Sequence, residues 1–103
     1  MDEPTLERSA ALFGSLSHPL RLRIVALLGD RELSVGEIVE KLGVPQSSAS
    51  QHLASLLRSG VLVVDQRKTS RFYRVRGPRM TKLVGLMFDF CEAQGLKGSP
   101  DDE

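Results

Sequence analysis

Leu33-Ser34-Val35-Gly36-Glu37-Ile38-Val39-Glu40-Lys41-Leu42-Gly43-Val44-Pro45-Gln46 decides the reading of the whole chain. Ser34-Val35-Gly36-Glu37 has the form of a capping box. The serine hydroxyl accepts from the Glu37 amide, and the glutamate reaches back to the Ser34 amide. Leu33 just outside and Ile38 just inside make a hydrophobic staple. Val35, Ile38, Val39 and Leu42 fall on one helical face, and Gly43 stops the helix in the C′ role. Val44-Pro45 is then a short turn, after which a second helix runs from about Gln46 to Ser59 and ends at Gly60. Two helices joined by three or four residues including a glycine form a helix-turn-helix.

Upstream of this pair, a helix is expected from about Thr5 to Leu16, with Leu6, Ala10 and Phe13 at helical spacing. Ser17-His18-Pro19 breaks it, and Pro19 suits the first turn of another helix to Leu28, stopped by Gly29-Asp30. Downstream, Val61-Leu62-Val63-Val64 and Phe72-Tyr73-Arg74-Val75 read as two short strands. The basic segment Gln66–Ser70 forms the tip between them. Gly77-Pro78 punctuates, and a last helix runs from about Arg79 to Gln94. The fold class is therefore mainly α with a small β-hairpin (α+β), in the order ααααββα. Residues 1–103 read as a single domain whose ends, 1–4 and 97–103, are expected to be disordered.

Composition narrows the function. Of 103 residues, 41% are hydrophobic and 26% charged, an ordinary globular balance. No apolar run approaches the roughly 18 residues that span a bilayer, and the acidic start Met1-Asp2-Glu3-Pro4 is unlike a secretory signal. The single cysteine, Cys91, forbids an intrachain disulfide and suits the reducing cytoplasm. The net charge is only +1, but it is unevenly spread. Residues 58–82 hold eight bases and one acid, while the remainder is acidic on balance. A basic stripe on an acidic body is the electrostatic footprint of a phosphate-binding surface.

The second helix of the pair carries the candidate binding face. Ala49, Leu53, Leu56 and Leu57 cluster on the core side. Ser47, Ser48, Gln51, Ala54, Ser55 and Arg58 lie on the opposite side, with Ser50 and His52 on its flanks and Gln46 at its start; this face carries no acid. Short hydroxyls and amides can approach base edges, and glutamine pairs bidentately with adenine. The same residues would also make a plain solvated helix face, and the neighbouring hairpin separates the two readings. Its Arg67, Lys68, Thr69 and Arg71 surround the tip and suit phosphate neutralisation, besides blunting an exposed strand edge. The expected partner is double-stranded DNA.

The last helix is apolar nearly all round, and a small domain covers one face only. Leu83, Met87, Phe90 and Cys91, with Leu6 and Phe13 of the first helix, are the candidate interface of a two-fold homodimer. No paired nucleophile and base, phosphate loop or metal cluster is present, so the chain is not read as an enzyme. No cofactor, metal site or membrane is implied.

Five stretches closely resemble the ArsR/SmtB family of bacterial repressors: Ser17–Ile24, Glu32–Ile38, Gln46–Leu53, Leu57–Leu62 and Arg71–Val75. The resemblance spans about Leu6 to Ala93 and implies a winged helix-turn-helix homodimer repressing at an inverted repeat. It also implies that Ser47, Ser48, Ser50, Gln51 and His52 enter the major groove, with the Arg67–Arg71 tip on the minor groove or backbone. The sensing positions differ. Arsenic-sensing members carry Cys-x-Cys where this chain has Ser34 and Gly36. Metal sensors use Asp and His on the last helix, where this chain has no histidine, and thiol-oxidation sensors need two cysteines. The inducer is left open. Two rival readings stay beside the repressor: a winged-helix dimer that binds protein partners, and a thiol-redox regulator working through Cys91.

Overall fold

The structure, a computed structural model, describes residues 1–95. Five helices pack round a three-stranded antiparallel sheet. The helices are α1 (Glu3–Leu16), α2 (Pro19–Leu28), α3 (Val35–Leu42), α4 (Gln46–Ser59) and α5 (Pro78–Ala93); the strands are β1 (Leu33–Ser34), β2 (Leu62–Arg67) and β3 (Ser70–Val75). The expected α+β class holds, and α2, α3 and α4 begin and end where the caps and glycines put them.

Three departures have clear physical causes. The first helix starts at Glu3 rather than Thr5, because the Asp2 carboxylate accepts from the Thr5 amide at 3.2 Å and Pro4 preorganises the first turn. Residues 3 and 4 are thus helical, not frayed; the expectation for 97–103 lies outside the described residues. Both hairpin strands are longer than their apolar runs, closing on a two-residue turn in which Lys68 takes φ 54°. The ladder of backbone hydrogen bonds continues past the residues that helices cover, so the polar outer half leaves no hydrophobic signal. A third strand, β1, was not foreseen: Leu33 pairs with Tyr73 and Ser34 with Phe72, giving the sheet order β1-β3-β2.

The capping box forms as read. Ser34 Oγ accepts from the Glu37 amide at 3.2 Å and Glu37 Oε1 from the Ser34 amide at 2.9 Å. Gly43 takes a left-handed φ of 67°, where a side chain would be strained. Behind this turn lies a core of Ile24, Val25 and Leu28 from α2, Ile38 and Leu42 from α3, and Ala49, Leu53 and Leu56 from α4. Val61, Leu62, Tyr73 and Val75 close it from the sheet, and among the described residues no polar side chain is buried with them. Val35, Val39, Leu20, Leu27 and Leu57 pack half-buried round its edge.

Leu53 is 1% exposed at the centre of this core. Leu53→Ala is expected to cost about 2–5 kcal/mol through lost burial and an unfilled cavity. Ser34→Ala, which removes only the cap, is expected to cost about 1 kcal/mol. Denaturant midpoints at one fixed protein concentration check the order, and equal losses would mean that the cap does more than close a helix.

Candidate nucleic-acid interface

Helix α4 turns Gln46, Ser47, Ser50 and Gln51 fully outward, with Ser48, His52 and Ser55 half-buried at the margins. Burial of Ala49, Leu53 and Leu56 fixes that rotation. Ser47 and Gln51 lie one turn apart on the outer face, and Ser55 continues the row. Arg58 ends it, donating to Ser55 Oγ at 3.0 Å. The N-cap is Pro45, and no side chain closes the first turn. Its amides are open donors at the positive end of the helix dipole, suited to a phosphate. The sequence does hold this signal, since a proline before Gln46 has no oxygen on its side chain to cap with.

His52 has a different setting from the serines. Its Nδ1 accepts from Arg21 Nε at 3.1 Å, and its ring lies 4.3 Å, centroid to centroid, from that of His18. Arg21 also donates to the Ser15 carbonyl at 3.1 Å, and His18 caps α2 by accepting from the Leu20 amide at 3.2 Å. His52 therefore ties α4 to the start of α2, and Nε2 is the nitrogen it has left for any other partner. Burial, then the neighbouring His18 and Arg21, hold its imidazole below the ordinary value of 6.5.

At the wing, Lys68, Thr69 and Arg71 are exposed round the turn. Arg71 lies over the Tyr73 ring at 5.6 Å, which leaves its guanidinium edge free. Arg67 is engaged instead. It meets Glu32 at 2.6 Å and Asp65 at 2.8 Å, and stacks on Phe72 at 4.9 Å. Its charge is compensated by two carboxylates, so it braces the wing against the segment before α3. Sequence spacing missed this, because Glu32 is 35 residues away along the chain.

The candidate dimer residues are carried by α1 and α5, where Phe13, Leu83 and Met87 share one apolar groove. Leu6, Phe13, Leu83, Met87 and Phe90 are all exposed, and so are Leu86 and Phe88, while Cys91 is half-buried. An open groove of about 320 Å³ runs between Phe13, Leu16, Leu22, Leu83, Val84 and Met87. Single exposed apolar residues are ordinary on a protein surface, whereas apolar residues gathered round a groove are not. Among the described residues no three His, Cys, Asp or Glu side chains converge as metal ligands. No single helix there is long and apolar enough to cross a membrane.

Comparison with known proteins agrees with this geometry. The model of a helix-turn-helix domain matches residues 16–65. The biofilm growth-associated repressor of Xylella fastidiosa is 36% identical over 83 residues, covering 80% of this chain and 73% of its own. The transcriptional activator HlyU of Vibrio cholerae is 32% identical over 92 residues, 88% of this chain and 85% of its own. The HlyU structure superposes with a TM-score of 0.78 at 30% identity, over 87% of this chain and 97% of HlyU. A homodimeric winged helix-turn-helix DNA-binding domain from Mycobacterium bovis shares the fold, with a TM-score of 0.82 at 24% identity over 91% of this chain and 90% of its own. A helix-turn-helix with a β-hairpin wing, matched by relatives of this kind, defines a winged helix-turn-helix transcriptional regulator. The chain belongs to the ArsR/SmtB family that its sequence resembles.

The His52 setting has a measurable consequence. The folded state binds the proton less readily than the unfolded chain, so stability rises with pH between the lowered value and about 6.5. Acidification through that window is expected to destabilise the protein. His52→Gln should flatten the dependence in thermal melts from pH 7.5 down to about 5. An unchanged slope would place the acid sensitivity elsewhere.

Proposed function

We propose that the protein is a cytoplasmic, homodimeric repressor that binds an inverted-repeat operator in double-stranded DNA. It acts by binding rather than by catalysis. The observation that carries this reading is the acid-free outer face of α4, standing beside a wing whose tip exposes Lys68 and Arg71, neither of them in an ion pair among the described residues. Gln46, Ser47, Ser48, Ser50, Gln51 and Ser55 are assigned to the major groove, Gln51 as the reader of one base pair. His52 contributes through Nε2, at the groove edge. Lys68, Thr69 and Arg71 anchor the wing to phosphates, and Arg67 positions the wing that carries them.

The apolar surface of α1 and α5 supports the dimer. Pairing two copies through Leu6, Phe13, Leu83, Met87, Phe90 and Cys91 removes it from water. The same pairing presents two α4 helices to successive major-groove faces, roughly 34 Å apart. Repression then needs only occupancy of a promoter. Of the relatives described above one is named a repressor and one an activator, and the sign of control depends on where the operator lies. The arsenic-sensing position is occupied otherwise: the Ser34 hydroxyl is committed to its capping box.

Titrating salt against binding to a selected operator and to random duplex tests the proposal. Affinity for both should fall steeply with salt, with the operator preferred throughout. Gln51→Ala should lose about 1–3 kcal/mol of discrimination at one base pair. Arg71→Ala should weaken all sequences alike and lower the salt slope by about one. Equal binding to operator and random duplex at physiological salt would sink the sequence-specific reading.

The dimer has its own check. Phe13 is 54% and Met87 44% exposed, so Phe13→Glu with Met87→Glu should spare the fold of each chain. Light scattering is expected to give a two-chain mass for the wild type and a one-chain mass for the double variant, which also loses operator binding. A one-chain mass for the wild type would end the homodimer proposal.

A further inference from the structure

Four arginines have no contact assigned to them in the proposed operator complex. Arg8 of α1, Arg58 at the end of α4, Arg76 after β3 and Arg79 at the start of α5 line one open crevice of about 520 Å³. No aspartate or glutamate lines it, and Leu12 and Met80 are among its apolar walls. Among the described residues none of the four arginines makes an ion pair. Arg76 donates from Nε to the Gly60 carbonyl at 2.8 Å and Arg58 to Ser55 Oγ, so both keep donors uncommitted. The first turn of α5, carrying Arg79 and Met80, has no side-chain cap and adds positive potential. Cations converging on a partly apolar crevice repel one another unless an anion joins them.

The centre of this crevice lies away from the first turn of the reading helix. It sits at the Ser59 end of α4, about 20 Å along the helix from Gln46, with Arg58 its nearest approach to the outer face through Ser55. It also sits at the Val75 end of the hairpin, about 20 Å from the Lys68 tip. We propose that the crevice is a binding site for a small amphipathic organic anion, a carboxylate on a short hydrocarbon body. The arginines take the carboxylate, bidentately where geometry allows, and Leu12 and Met80 take the apolar part. The site joins the two helices of the proposed dimer surface to the far end of the proposed reading helix. A ligand there acts as an effector if it binds the operator-free arrangement with a different affinity from the bound one. That last link rests on the operator reading, whereas ligand binding itself does not.

The test uses the full-length protein without DNA, with backbone amide chemical shifts as the readout. The probes are octanoate, its neutral counterpart octanamide, and inorganic phosphate. Octanoate is expected to give saturable shifts at Arg8, Arg58–Gly60 and Arg76–Met80, phosphate weaker ones at the same amides, and octanamide none. Arg79→Ala and Arg8→Ala should each weaken octanoate by about tenfold or more with the melting temperature unchanged. Equal binding of octanoate and octanamide would overturn the proposal, as would shifts gathered at Phe13 and Met87. Phosphate binding as tightly as octanoate would remove the apolar half of the site and with it the proposed ligand class. Failure of octanoate to bind, with dimer dissociation on Arg79→Glu, would assign the arginines to acids of a second copy instead. Operator binding measured separately tells a failed effector site from a failed operator reading.

Discussion

Two residues, Leu33 and Ser34, hold the architecture in register. Their backbone adds a third strand to the hairpin, the Ser34 side chain caps α3, and Leu33 is buried in the core. One short segment thereby fixes the wing and the helix-turn-helix relative to each other. If β1 were free of β3, the hairpin would be a two-stranded ribbon anchored only at its base, and such ribbons are marginally stable in water. The Glu32–Arg67 ion pair adds a second clamp one residue upstream and nearer the tip. An exposed pair of this kind contributes little to global stability. Its effect is geometric, since it limits how far the tip can swing.

Charge is distributed accordingly. The basic segment that stood out by composition divides in three dimensions into separate sets. Lys68 and Arg71 project at the wing tip, Arg67 is neutralised locally, and Arg58, Arg76 and Arg79 gather with Arg8 at the opposite end of α4. A count along the chain treats these as one stripe. Antiparallel pairing carries residues 67–70 away from residues 62 and 75, so a single run of sequence reaches both ends of the hairpin.

Helix positions were legible because each boundary is written locally. Gly43 and Gly60 sit in left-handed conformations that stop α3 and α4, and Pro19 begins α2. The outward face of α4 was legible for the same reason, since rotation at helical spacing needs only the buried Ala49, Leu53 and Leu56 to set it. What escaped the sequence involves partners distant along the chain. The two-residue strand β1 has no period to detect, and its cap signature was already explained by α3. The Arg67 ion pair and the Arg21–His52 bond span 35 and 31 residues. The ring contact between His18 and His52 spans a similar distance along the chain.

Helix α4 emerges as an element with two different ends. Its first turn is open, uncapped and lined with hydroxyls, while its last turn is closed by Gly60 and crowded by arginines. Between them, Leu53 and Leu56 seat the helix in the core, and His52 ties it to α2, so it cannot easily slide or bend by itself. A ligand bound at its last turn, as proposed, would therefore act on the helix mainly as a rigid body. The elements that meet there are α1 and α5, whose apolar surfaces remain exposed in a single chain. In the proposed dimer, packing one copy against another through those helices would set the spacing between the two copies of α4, and a small tilt at the far end would change that spacing. On the proposed reading, control of operator affinity would need no contact between effector and DNA, only a change in how the two copies of α4 are held apart.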